Sequence, residues 1–155
     1  MLFLDLCARV RMRLNDYVLV VADDDLEVLA AYVAMLEPRG FTVHTCSDGR
    51  EAIELCRVFK PGVVVLDLVM PGLDGFATAR HLQAETELAD IRRVAVTAFT
   101  DERSSARAWE AGFHEFLPKP VPLSMLLAMV RPTRDMRSGA DANTRDRLSE
   151  LARCL

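Results

Sequence analysis

The sequence predicts an α/β fold, a doubly wound five-stranded parallel sheet with helices on both faces. Two observations predict it. From Tyr17 onward, short apolar runs bounded by turn residues alternate with longer segments whose apolar residues recur every three or four positions, and this strand-helix unit occurs five times. The strand runs are also apolar almost throughout, as expected when crossover helices cover both faces of a sheet.

The elements follow in order. Val18-Leu19-Val20-Val21-Ala22 reads as the first strand, and Leu26, Leu29, Val33 and Leu36 give the next segment one apolar helical face before Pro38-Arg39-Gly40 stops it. Phe41 to Cys46 is the second strand. Asp48-Gly49 turns the chain into a helix carrying Ala52, Ile53, Leu55, Cys56 and Phe59, which Pro61-Gly62 ends. Val63 to Leu66 is the third strand and runs into Asp67. After Met70-Pro71-Gly72, a helix over about 74–85 leads to a fourth strand, Arg93 to Val96, followed by Thr97. Asp101 to Ala111 is the fourth helix, with Gly112 suited to its C-terminal cap. Phe113 to Leu117 is the fifth strand, Lys119 follows it, and Pro122 opens a last helix through Val130.

A chain of 155 residues suffices for one well-buried core and is short for two ordinary domains. The expected organisation is an N-terminal extension over 1–16, one folded domain over 17–131, and a polar tail over 132–155 that is expected to be mobile and is too short for an effector domain. Leu2, Phe3, Leu4 and Leu6 would make a small amphipathic anchor or belong to an extension produced by an early start codon, Met12 lying just before the first strand; Arg9, Arg11 and Arg13 follow that run, the wrong order for a signal peptide. No apolar stretch approaches the ~18 residues of a membrane span. The net charge of −4 and the lack of a basic stripe argue against direct nucleic-acid binding. Cys7, Cys46, Cys56 and Cys154 show neither zinc-site spacing nor the density of a secreted disulfide framework, so reduced thiols and a cytoplasmic location are expected. His44, His81 and His114 lie in different units without shared metal spacing, and no phosphate-binding glycine loop supports nucleotide binding.

In open parallel sheets ligands bind outside the carboxyl ends of the strands. Asp23 and Asp24 follow strand one, Asp67 ends strand three, Thr97 ends strand four and Lys119 follows strand five, so five polar groups converge on one sheet edge. A lone aspartate after a strand is ordinarily a helix cap or turn former; the conjunction is what points to chemistry. Three carboxylates held close raise one another's pKa and call for positive charge. Lys119 supplies one, and a hard divalent cation with oxygen ligands supplies more, Mg²⁺ fitting best, with Mn²⁺ as the alternative. With the Thr97 hydroxyl, the set has the parts for phosphoryl transfer, and a carboxylate nucleophile would form an aspartyl-phosphate.

The Val18-to-Asp25 segment, the Leu66-Asp67-Leu68-Val69-Met70-Pro71-Gly72-Leu73-Asp74-Gly75 stretch, the Val96-Thr97-Ala98 step and Lys119-Pro120 resemble the receiver domains of bacterial two-component response regulators. The spacings among Asp24, Asp67, Thr97 and Lys119 agree, and the likeness covers about 17–131. It implies the flavodoxin-like strand order 2-1-3-4-5, and the short tail makes a stand-alone receiver the expectation. Asp67 would accept a phosphoryl group from a sensor histidine kinase or a histidine phosphotransfer protein. Asp23, Asp24, an Asp67 oxygen and the Val69 backbone carbonyl would hold Mg²⁺. Thr97 and Lys119 would bind phosphoryl oxygens, Phe116 would be the aromatic switch residue moving with Thr97, and the Lys119-Pro120 bond would be cis. The surface of the fourth helix, fifth strand and fifth helix would contact an unknown protein target, as a monomer or weak dimer.

Three details depart from the commonest version of that family. Leu26 stands where proline is frequent, Phe116 lacks a hydroxyl, and Val69 and Phe99 offer nothing to orient a water, which implies slow self-dephosphorylation. Two other functions fit parts of this pattern. An aspartyl-phosphate hydrolase would carry its nucleophile after strand one and need a cap that this chain lacks, while a phosphorylation-independent scaffold would not require all five site residues.

Overall fold

Among the described residues, four of the five α-helices begin at an aspartate whose carboxylate accepts hydrogen bonds from first-turn amides: Asp25, Asp48, Asp74 and Asp101. Such caps satisfy donors that the helix itself leaves open. The computed structural model describes residues 17–131. The expectations for 1–16 and 132–155, including Cys7 and Cys154, lie outside the described residues.

The described chain runs β1 (Val18–Ala22), α1 (Leu26–Leu36), a 3₁₀ turn (Glu37–Arg39), β2 (Thr42–Cys46), α2 (Gly49–Phe59), β3 (Val63–Leu66), α3 (Gly75–Ala84), β4 (Arg92–Thr97), α4 (Glu102–Glu110), β5 (Glu115–Pro118) and α5 (Leu123–Val130). The strands form one parallel sheet in the order β2-β1-β3-β4-β5, as the resemblance implies. Alternate strand residues divide the core into two layers. Val20, Ala22, Val64, Leu66 and Ala95 pack with Ile53, Phe76, Leu82 and Ala108 of α2, α3 and α4. Leu19, Val21, Val65, Val94 and Val96 pack with Leu29, Leu36, Leu126 and Val130 of α1 and α5. Burial on both faces is why these strands carry no polar alternation.

Two strands start later than the apolar runs predict, for one physical reason. Phe113 opens the predicted fifth strand, but its amide donates to the Ala108 carbonyl (3.1 Å) and Gly112 takes a left-handed conformation, so the backbone is still closing α4. β5 therefore begins at Glu115 and extends to Pro118. Phe41 likewise donates to the Leu36 carbonyl, and β2 begins at Thr42. Both phenylalanines are nevertheless buried, which made them look like strand residues.

Cys46 and Cys56 are free thiols, and burial pushes both pKa values up to about 12, which keeps them unreactive. His44 stacks on Phe59 with centroids 3.6 Å apart. Trp109 is half-exposed on α4. Among the described residues, no helix is long and apolar enough to cross a membrane.

Candidate functional site

The sheet brings the predicted residues to one edge by its own hydrogen bonds. The Asp23 amide donates to Cys46 O (3.2 Å), the Asp67 amide to Ala22 O (2.9 Å) and the Lys119 amide to Thr97 O (2.8 Å), so each site residue is tied to a neighbouring strand end. The loops then fix the side chains. Asp23 Oδ1 accepts from the Asp25 amide (3.0 Å) and Asp67 Oδ1 from the Val69 amide (3.3 Å). The Thr97 hydroxyl accepts from the Phe99 amide (3.2 Å).

Lys119 Nζ donates to Asp23 Oδ2 (2.5 Å) and to Asp67 Oδ2 (3.1 Å). One carboxylate oxygen from each of Asp23, Asp24 and Asp67 lies within 4.8 Å of the others. Hard oxygen donors converging at this spacing, with Asp24 exposed to solvent, fit a cation that keeps several waters, and Mg²⁺ is the match by chemistry. Burial raises the pKa of Asp67; the Lys119 ammonium and the Val69 amide pull it down, Asp23 adds to the rise, and the net direction is upward. For Lys119 burial works downward, but its bonds to Asp23 and Asp67 prevail and hold the ammonium above its usual pKa.

Asp23 (3% exposed), Asp67 (9%) and Thr97 (0%) are buried, and Lys119 is partly buried. Phe116 is set apart: it is partly buried against the layer of core under α2, α3 and α4, beside Ala95 of β4. The Lys119-Pro120 bond is cis.

Two positions were not read from the sequence. Gly75 opens α3 against the backbone of the Asp67 turn, and a Cβ there would stand 2.8 Å from Leu68 Cα and closer still to the Asp67 carbonyl oxygen. Its place in the Asp67 stretch was visible, but a glycine's close approach is not. Tyr32 of α1 is buried with Lys119 in the lining of a cavity of about 410 Å³, and burial pushes its phenol up to about 12, with smaller opposing effects from Lys119 and the two aspartates. It reads as one more apolar position on the α1 face.

A model of the response regulator receiver domain matches residues 18–131. Response regulator MprA of Mycolicibacterium vanbaalenii is 35% identical over 113 residues, 73% of this chain and 48% of that protein, so the chain spans about half the length of this relative. Protein PilH of Pseudomonas aeruginosa is 33% identical over 112 residues, covering 72% of this chain and 93% of PilH. Among solved structures, Vibrio cholerae chemotaxis protein CheY4 aligns with a TM-score of 0.68 at 22% identity over 72% of this chain and 92% of its own, a likeness of fold. The BeF3-activated N-terminal receiver domain of Klebsiella pneumoniae RstA aligns with a TM-score of 0.68 at 27% identity over 74% of this chain and 99% of its own.

Proposed function

The chain belongs to the response regulator receiver domain family, and on that premise we propose that Asp67 accepts a phosphoryl group from a phosphohistidine and that the protein signals through the conformational change that follows. One observation carries this reading. A single ammonium, Lys119 Nζ, holds Asp67 and Asp23 together beside a third carboxylate at the carboxyl edge of the sheet. A structural ion pair would not need an exposed third acid.

In the transfer, an Asp67 carboxylate oxygen attacks phosphorus, the P–N bond to the donor imidazole breaks, and the departing imidazole takes up a proton from solvent. Lys119 donates to an oxygen of the transferred group, and the Thr97 hydroxyl supplies a further hydrogen bond; both offset charge that grows as transfer proceeds. Mg²⁺ would be held by Asp23, Asp24, Asp67 and the Val69 carbonyl, and would supply the positive charge that brings phosphoryl and carboxylate oxygens together. The same positive charge counters the burial that raises Asp67's pKa, and so favours the ionised nucleophile.

The functional unit is residues 17–131, acting as a receiver in the cytoplasm. The donor is a sensor histidine kinase or histidine phosphotransfer protein, and the output is contact with a protein target through α4, β5 and α5. Thr97 and Phe116 form the switch, with Phe116, partly buried, turning inward as Thr97 closes on the phosphoryl group. Phosphorylation acts by biasing two shapes that already interconvert.

Intact mass after incubation with Mg²⁺ and acetyl phosphate tests the chemistry. One phosphoryl adduct that requires Mg²⁺ and is absent from Asp67→Asn is expected. A folded protein that takes no phosphoryl group from acetyl phosphate or from any histidine donor would instead be a scaffold.

A further inference from the structure

Arg93 is a buried arginine, 3% exposed, at the amino end of β4, opposite the carboxyl edge that holds the aspartates. Its guanidinium is held by carbonyls: Nε donates to Gly112 O (2.6 Å), and Nη1 donates to Ala89 O (2.9 Å) and Ile91 O (3.0 Å). These bonds tie the loop before β4 to the end of α4. The neighbouring contact involves His114, just ahead of β5. The His114 amide donates to Arg93 O (2.8 Å), and the Arg93 amide donates back to His114 Nδ1 (3.0 Å), so the imidazole serves as acceptor just beyond the end of the strand.

An imidazole nitrogen that accepts from a backbone amide carries no proton, so the neutral tautomer has its proton on Nε2. In that tautomer Nε2 and Arg93 Nη2, 3.4 Å apart, are both donors and make no hydrogen bond to each other. A proton added at Nδ1 would remove the acceptor and set a second cation beside the guanidinium. We infer that Arg93 and His114 form a proton-sensitive clasp, which holds the foot of β5 to β4 while the imidazole is neutral and releases it when the imidazole is protonated.

The groups around the ring agree. Partial burial lowers the pKa of His114 first, then the charges of Arg93 and Arg92 of β4, and a bond from the Arg93 amide made only to the neutral ring favours the same direction. Glu115, the adjacent carboxylate on β5, is engaged by Arg92 (3.0 Å), and Asp90 in the preceding loop acts on Arg93. The residue is exposed overall, so a proton can reach it from solvent. β5 also carries Phe116 and leads to Lys119, which places the clasp at the root of the strand on which both stand. The clasp does not depend on the phosphoryl-transfer reading.

The test uses the ¹⁵N-labelled full chain. Long-range ¹H–¹⁵N spectra report the His114 tautomer and its titration, and amide hydrogen exchange at Arg93, corrected for the intrinsic effect of pH, reports the clasp. The expected result is a proton on Nε2, and Arg93 protection that falls roughly tenfold as His114 titrates, the size of one modest hydrogen bond. His114→Gln, whose carboxamide oxygen accepts without titrating, should keep Arg93 protected across the same range. Arg93 protection that follows the same pH course in wild type and His114→Gln would overturn the inference, as would a proton found on Nδ1.

Discussion

Lys119 Nζ stands 3.1 Å from Asp67 Oδ2 while also bonding Asp23, so one ammonium is shared between two buried carboxylates. The sharing leaves the edge short of positive charge. Burial first, and the Asp23 charge to a smaller degree, hold the Asp67 pKa above the ordinary carboxylate value even with Lys119 as partner. Added positive charge at this edge would relieve that cost.

Ionised Asp67 should therefore weaken the metal-free fold. A carboxylate whose folded pKa is raised binds protons more readily folded than unfolded, so stability falls as pH rises from the unfolded value through the folded one. Asp67→Asn should be more stable than wild type by on the order of 1 kcal/mol in metal-free buffer near neutral pH. Added Mg²⁺ should stabilise wild type and do much less for the variant. Urea unfolding of both proteins with and without Mg²⁺ measures this, and an equal response to Mg²⁺ would contradict it.

Removing the shared cation should have the opposite effect. Lys119 has a raised folded pKa, so its contribution is complete at neutral pH, below the unfolded value, and is lost as pH rises through the folded one. Lys119→Met would leave Asp23 and Asp67 uncompensated and should destabilise the metal-free protein by about 1–3 kcal/mol near neutral pH. The deficit should narrow as the pH is lowered and the carboxylates protonate. A deficit independent of pH would mean that packing of the lysine stem, not its charge, is what matters.

Gly75 links fold to site. A methyl group there meets Leu68 Cα and the Asp67 carbonyl, both backbone atoms that cannot rotate aside. Gly75→Ala should destabilise by about 1–3 kcal/mol, as overpacking does, and slow phosphoryl acceptance from acetyl phosphate by shifting the Asp67 turn. Gly72, with open space around its Cβ position but a φ of +75°, makes the control. Its alanine variant should strain a turn without pressing on Asp67, so it should lose stability while accepting the phosphoryl group at near the wild-type rate.

Much of this was legible because strand burial and strand ends are local properties of sequence. Apolar runs such as Val63 to Leu66 admit few alternatives, and Asp67 and Thr97 are candidate site residues because they stand where such runs end. What could not be read depends on distant backbone. Phe113 looks like a strand residue until its amide is seen to cap α4, and Arg93 gives no sign in the sequence that its charge is buried. The carbonyls of Gly112, Ala89 and Ile91 make that burial tolerable, and only the fold assembles them.

Arg93→Met tests that assembly. Methionine keeps much of the stem but leaves three carbonyls without the guanidinium. A loss of about 2–4 kcal/mol is expected, since unsatisfied buried acceptors are costly. The urea midpoint should fall with an unchanged slope, and a variant as stable as wild type would show that water replaces the arginine at no cost.

The lifetime of the phosphoryl group follows from the two side chains at the rim of the site. Val69 and Phe99 are each 54% exposed and belong to the turns that hold Asp67 and Thr97, their amides bonded to those side chains. Neither can hydrogen-bond a water aimed at phosphorus, so hydrolysis must use an unoriented one. Once loaded, the isolated protein should keep its phosphoryl group for minutes or longer. Val69→Asn would place an amide where it can hold that water, and one hydrogen bond of about 1.4 kcal/mol made in the transition state shortens the lifetime roughly tenfold. Decay of the adduct mass after removal of the donor gives both numbers. A wild-type lifetime of seconds, unchanged by Val69→Asn, would mean that water is oriented by some group other than these two, with the exposed carboxylate of Asp24 the first to examine.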